Sequence, residues 1–196
     1  MRAAVLRKRP QGGFGLVEIL VTILVLAVGL LSAASLQLLS KRSNYDSAQR
    51  TSAAHLAQDL LERMRSNSTA LGNYIPAGDL GGDTLGDAPP VDCADAAVDC
   101  TPEDVAAYDL WQWEELLDGE LENSAGEAAG GLVAPTACLT GPDFGGTGTY
   151  SIAIAWRGMT ELDDPAVDDC GAGEGKYGDG DRYRRVLVVR TFLNAS

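Results

Sequence analysis

From Phe14 to Leu39 the chain is apolar all round, a run of 26 residues interrupted by one charge, Glu18. As a helix this run spans roughly 39 Å at 1.5 Å per residue, more than the roughly 30 Å of a bilayer's hydrocarbon core. The pattern then changes without a break, because no proline occurs between Gln11 and Ile75. In SAAHLAQDLLERMRSN, the residues Ala53, Leu56, Ala57, Leu60, Leu61 and Met64 recur at three- and four-residue spacing. Gln58, Asp59, Glu62, Arg63 and Arg65 fall on the other faces. The pattern predicts one helix from about Phe14 to about Ser66, roughly 80 Å long. Residues 14–39 suit a membrane, and residues 40–67 form an amphipathic continuation that packs under a globular head, residues 68–196.

Beyond the helix the period shortens. ALGNYIPAGDLGGDTLGDAPP is rich in Gly, Pro and Asp and reads as loop. Thr101-Pro102-Glu103-Asp104 has the order of a helix start: a hydroxyl cap, proline at the first position and acids in the first turn. A short helix should run to about Leu117, carrying Val105, Tyr108, Leu110, Trp111, Trp113 and Leu116. Its aromatic residues are expected in the core rather than on a sugar-binding platform. GLVAPTACL is a weak strand because of Pro135. TYSIAIAW alternates cleanly, placing Tyr150, Ile152, Ile154 and Trp156 on one face. RYRRVLVVRTFL alternates Arg184, Val186, Val188, Arg190 and Phe192 against Tyr183, Arg185, Leu187, Val189 and Thr191. The last two strands are expected to pair antiparallel across a long acidic loop. Helices followed by an antiparallel sheet make the fold class α+β.

Charge and cysteine narrow the functions. The chain carries −13, yet residues 1–13 contain Arg2, Arg7, Lys8 and Arg9 and no acid. The rest is therefore more acidic still and unsuited to nucleic acid, which demands Lys and Arg against phosphate. The basic start holds the N-terminus on the cytoplasmic side of a membrane, so the head should cross. Four cysteines, Cys93, Cys100, Cys138 and Cys170, fit two disulfides in an oxidising compartment. Three pairings exist. Cys93–Cys100, closing a short loop before Pro102, and Cys138–Cys170, tying the sheet's start to an acidic loop without apolar anchors, are the expected ones. A four-cysteine zinc site is the weaker alternative, since no C-x-x-C spacing occurs. The single histidine, His55, lies on the long helix, where a surface place is expected. No Ser-His-Asp set is readable, and the glycine-rich runs do not join a strand to a helix as phosphate cradles do. Catalysis is not expected.

Glu18 remains to be explained. A cleaved secretory signal, with Ser32-Ala33-Ala34 as its cleavage site, has an apolar run that is too long and leaves the glutamate idle. A plain signal anchor also leaves it idle. The residues Gly13-Phe14-Gly15-Leu16-Val17-Glu18 resemble the prepilin peptidase site of type IV pilins and type II secretion pseudopilins. A short basic leader, residues 1–13, ends in glycine, phenylalanine follows, and glutamate is the fifth residue after the cut. The resemblance is sharp over Gly12–Leu26. It implies cleavage after Gly13, N-methylation of Phe14, and a pilin fold with a helical spine and a C-terminal sheet head. It also implies that Glu18 sets assembly register by pairing with the N-terminal amine of a neighbouring subunit.

Within the superfamily, AHLAQDLLERMRSN, YDLWQWEELL after a cysteine pair, and YSIAIAW followed by a cysteine resemble PilV-type minor pilins. That resemblance implies a structural subunit that primes pilus assembly and enters the fibre or its tip complex, with roles in adhesion or motility. Its partners would be other minor pilins and the major pilin through the N-terminal helix, prepilin peptidase, and the inner-membrane assembly platform. It would sit in the inner membrane with a periplasmic head, then in the pilus at the cell surface. The missing helix proline favours a minor subunit or a type II secretion pseudopilin over the main fibre subunit. A signal-anchored periplasmic ligand-binding domain is the alternative of another kind. No cofactor is expected. Some pseudopilins hold calcium in a loop near the C-terminus, and Asp163, Asp164, Asp168, Asp169, Asp179 and Asp181 are the weak candidates here. They lack EF-hand spacing, and a solvated acidic loop is the default.

Overall fold

The computed structural model describes Gly13 and residues 15–119, 123–124, 127–128, 130–163 and 168–195. Residues 1–12 of the leader lie outside the described residues, as does Phe14. By internal packing the chain divides into two units, residues 1–43 and residues 44–196. Helix α1, Leu16–Ser66, runs through both, so its second half groups with the head.

In the first unit α1 is apolar and exposed around its whole circumference. It is long and apolar enough to cross a membrane. The hydroxyls of Thr22, Ser32 and Ser35 donate to the carbonyls of Ile19, Val28 and Leu31 at 2.8–3.0 Å. Such back-bonding removes polar groups that hydrocarbon cannot solvate.

The second unit is built on the later turns of α1. Ala53, Ala57, Leu60, Leu61 and Met64 are buried, and Leu56 is partly buried against them. The stripe also extends a turn earlier than the hydrophobic pattern indicates, to Gln49. A 3₁₀ segment, Ser68–Tyr74, follows. Helix α2, Pro102–Asp118, opens with a capping box in which Thr101 and Asp104 bond each other's backbone. It ends at Gly119, whose φ of 80° is the left-handed cap that glycine adopts without penalty. Two two-residue strands, β1 (Asn123–Ser124) and β2 (Glu127–Ala128), pair with each other. The main sheet is antiparallel in the order β3 (Thr136–Thr140), β4 (Gly148–Arg157), β5 (Arg184–Leu193). Strand β3 begins directly after Pro135, which explains its weak sequence signal.

The alternation in β4 places Tyr150, Ile152, Ile154 and Trp156 in the main core with Leu60, Met64 and Trp113. The small residues between them face a second, smaller core: Ala153 and Ala155 meet Cys170 and Tyr177. Here the acidic loop differs from the expectation. It is not merely solvated, and it has an apolar anchor besides its cysteine, because Tyr177 is fully buried against β4. The Tyr177 hydroxyl donates to the Ala134 carbonyl at 3.1 Å and to Thr136 Oγ1 at 3.0 Å. The loop thus covers the second face of the sheet.

Candidate assembly site

The Gly15 carbonyl starts α1 by accepting the N–H groups of Glu18 at 3.0 Å and Ile19 at 3.3 Å. Glu18 therefore occupies the first helical turn, where negative charge meets the positive end of the helix dipole. Its neighbours Leu16, Val17, Leu20 and Val21 are exposed. Between Leu16 and Leu36 it is the one polar side chain with no partner among the described residues. Gly13 is exposed, and Phe14, the expected site of cleavage and N-methylation, lies outside the described residues.

In the head, Cys93 is bonded to Cys100 and Cys138 to Cys170. The second bond joins β3 to the loop that carries Tyr177. The aromatic cluster of α2 divides. Trp113 is fully buried and donates to the Leu56 carbonyl of α1 at 2.9 Å. Trp111 is half-buried, stacks with Tyr108 at 5.6 Å and donates to the Gly86 carbonyl. His55 is exposed.

The acidic candidates do not converge. Asp168 accepts the Cys170 N–H at 3.0 Å, and Asp181 accepts the Gly173 N–H at 2.8 Å. Asp164 lies outside the described residues. Among those described, no three His, Cys, Asp or Glu side chains gather as a cation would require. Asp168 and Asp181 instead shape turns in their own loop.

Several polar residues that hold the head together escaped the sequence reading. Gln49 of α1 donates to the Gly131 carbonyl at 3.3 Å and accepts the Val133 N–H at 3.1 Å. Asp46 accepts the Met159 N–H at 2.9 Å. Arg184, buried at the start of β5, donates to the carbonyls of Asp168 and Cys170. Arg63 ties α1 to α2 through Asp109 at 3.1 Å and Gln112 at 2.8 Å. Asp109 also accepts from the Tyr74 hydroxyl at 2.5 Å. Burial and that carboxylate together push the Tyr74 phenol well above its ordinary value.

Among the described residues the most buried acid is Glu114 of α2, 2% exposed. Its Oε1 accepts the N–H of Gly81 and both the N–H and hydroxyl of Thr84, and its Oε2 accepts the Leu85 N–H. One turn on, Asp118 accepts the N–H groups of Gly82 and Asp83. Two carboxylates at i and i+4 thus hold residues 81–85. Burial alone would raise the Glu114 pKa, but the bonds from Thr84, Gly81 and Leu85 outweigh it and hold the group below the usual range. The signal for this was present. Glu114 stands four residues after Leu110 and three before Leu117, on the buried stripe of α2, facing a glycine-rich segment.

A basic start, a Gly-Phe step, an exposed apolar helix and a sheet head packed on that helix's second half define a membrane-anchored fibre subunit. Residues 8–34 match the family model described as prokaryotic N-terminal methylation motif, and residues 35–111 match that of type IV pilin Tt1218. Motif, fold and matches together make the chain a type IV pilin-like protein. Such motifs imply processing by a prepilin peptidase and assembly with other pilins. No curated protein and no solved structure matches the chain.

Proposed function

We propose that the chain is a minor subunit of a type IV pilus, of the PilV type, cut after Gly13 and N-methylated at Phe14. Residues 14–39 hold it in the inner membrane with residues 68–196 in the periplasm. It then joins other minor pilins and the major pilin through α1, helps to prime the fibre, and serves as a structural subunit rather than an enzyme. The carrying observation is Glu18. It is a carboxylate without a partner among the described residues, at the first turn of an exposed apolar helix, four residues from the proposed new amine. Pairing with the Phe14 amine of a neighbouring subunit offsets the desolvation of both charges and fixes the stagger between helices. The type IV pilin model that matches residues 35–111 supports the reading as a pilin subunit.

Intact mass of membrane-extracted protein tests the processing: the chain should begin at a methylated Phe14, and retention of residues 1–13 in cells with active prepilin peptidase would refute it. Incorporation into sheared pili tests the role of Glu18. Glu18→Ala should insert and be cleaved normally yet enter pili poorly, since breaking a buried pair costs about 3–5 kcal/mol. Wild-type incorporation of the cleaved variant would remove Glu18 from the register role.

A further inference from the structure

The two edges of the main sheet are treated differently. The outer side of β3 is closed by Leu80, which exchanges two backbone hydrogen bonds with Ala137 at 2.8 and 2.7 Å. The outer side of β5 has no paired strand among the described residues, and Arg65 of α1 reaches it only by a side-chain bond to Thr191 Oγ1 at 3.3 Å. Among the described residues, no backbone hydrogen bond leaves this ten-residue strand for any segment other than β4. Proteins guard such edges with proline, bulges, short strands or several charges. Strand β5 has no proline, pairs with β4 residue for residue from Arg184 to Leu193, and leaves Phe192 62% exposed.

Space for another strand lies beside that edge. A groove of about 500 Å³ runs between α1 and β5, bordered by His55, Asp59, Glu62 and Arg65 on one side and by Arg190 and Thr191 on the other; Asp59 is paired with Arg63 and Glu62 with Arg65. A second, of about 280 Å³, continues past Arg65 to Phe192 and Asn194. Charge then selects the occupant. Strand β5 carries Arg184, Arg185 and Arg190 and no acid. Arg184 is committed to the carbonyls of Asp168 and Cys170, and Arg185 to Thr160. Arg190 is exposed and has no hydrogen bond or ion pair among the described residues. A second copy of β5 would bring another strand of arginines without acids, an unfavourable pairing.

We propose that the open edge of β5, with the groove beside α1, is a docking site for an extended acidic strand from a partner protein, added by backbone pairing. A carboxylate of that strand faces Arg190, and an apolar side chain covers Phe192. Backbone bonds supply the affinity of such additions and side chains supply the choice.

The test uses the full chain in detergent micelles. The probes are a twelve-residue peptide of alternating valine and glutamate and its valine–lysine counterpart. Amide hydrogen exchange is followed residue by residue, and affinity by fluorescence anisotropy. The acidic peptide should slow exchange on the outer side of β5 and bind about tenfold tighter than the basic one, the swing expected on exchanging an attractive for a repulsive cross-strand pair. Arg190→Glu should reverse that preference without altering exchange in the core of β4. The proposal fails if neither peptide protects β5, if both bind equally, or if Arg190→Glu changes nothing. It also fails if β5 amides are already protected in a concentration-dependent way without peptide, because a second copy then covers the edge.

Discussion

Replacing Glu114 probes whether one carboxylate organises the loop side of the head. In Glu114→Ala, four donors lose their acceptor: the N–H groups of Gly81, Thr84 and Leu85 and the Thr84 hydroxyl. Thr84 and Leu85 are exposed, so water replaces much of what they lose. Gly81 is buried, and its N–H is left without an acceptor. Gly81 is kept in place by its neighbour Leu80, which exchanges two backbone hydrogen bonds with Ala137. One orphaned buried donor and the loss of charge-assisted bonds put the cost at about 3 kcal/mol. Glu114→Gln separates charge from geometry. Its remaining oxygen still serves Gly81 and Thr84, while its amide group faces the Leu85 N–H, so about 1 kcal/mol is expected.

Denaturant unfolding of the full chain in micelles, followed by tryptophan emission, measures both variants. Trp111, bonded to the Gly86 carbonyl, reports on the loop directly. The pH dependence supplies a second readout. The folded pKa of Glu114 lies below its ordinary 4.5, so its contribution is complete above about pH 4.5 and fades as pH falls through the folded value. The wild type should lose stability below pH 4.5 more steeply than Glu114→Gln. A Glu114→Ala variant within about 0.5 kcal/mol of wild type, or parallel acid profiles for wild type and Gln, would refute this account.

Cys138→Ser with Cys170→Ser should cost about 2–4 kcal/mol and free residues 168–183 from β4, read as faster amide exchange around Tyr177. The Cys93–Cys100 pair spans only seven positions, so its removal should cost less in the same unfolding assay. Arg63→Met leaves Asp109 with Tyr74 but without its cation. A loss of about 2–3 kcal/mol in the denaturation midpoint is expected, and Tyr74→Phe in that background should recover little.

The long helix, its buried stripe, the Thr101 cap and the two last strands were legible because each rests on a local rule: period, capping chemistry or alternation. The second core was not. Ala153 and Ala155 read as the small, unimportant face of β4, and nothing within a strand reveals that a distant loop will cover it. Tyr177 sits among glycines and acids in EGKYGDG, a composition that reads as solvated. The polar anchors were hidden for a related reason. Gln49, Asp46 and Glu114 act on backbone N–H and carbonyl groups, which carry no residue-type signature, so their partners Val133, Met159 and Gly81 could not be named beforehand. Only Glu114 left a trace, an acid at a core position of its helix. Arg184 was legible only as a member of an alternating strand, and its burial depends on the same loop that covers Ala155.

These hidden anchors sharpen the contrast between the two units. In the head, the carboxylate taken deepest among the described residues, Glu114, finds all its donors within its own chain. Its cost is met at folding, and the monomer is complete without help. Thr22, Ser32 and Ser35 follow the same rule inside the apolar run, each bonded to a carbonyl of its own helix. Glu18 departs from it. A glutamate has no proton to give a carbonyl at neutral pH, and the helix offers it no donor beyond the dipole of its own first turn. Such a group remains tolerable while its end of the helix meets water and headgroups, and it becomes expensive once that end is dry. On the proposed reading, the same carboxylate is nearly neutral for insertion and decisive for packing. On that reading, the difference lets one residue leave the monomer soluble in the membrane and yet reject every helix stagger that fails to bring it a cation.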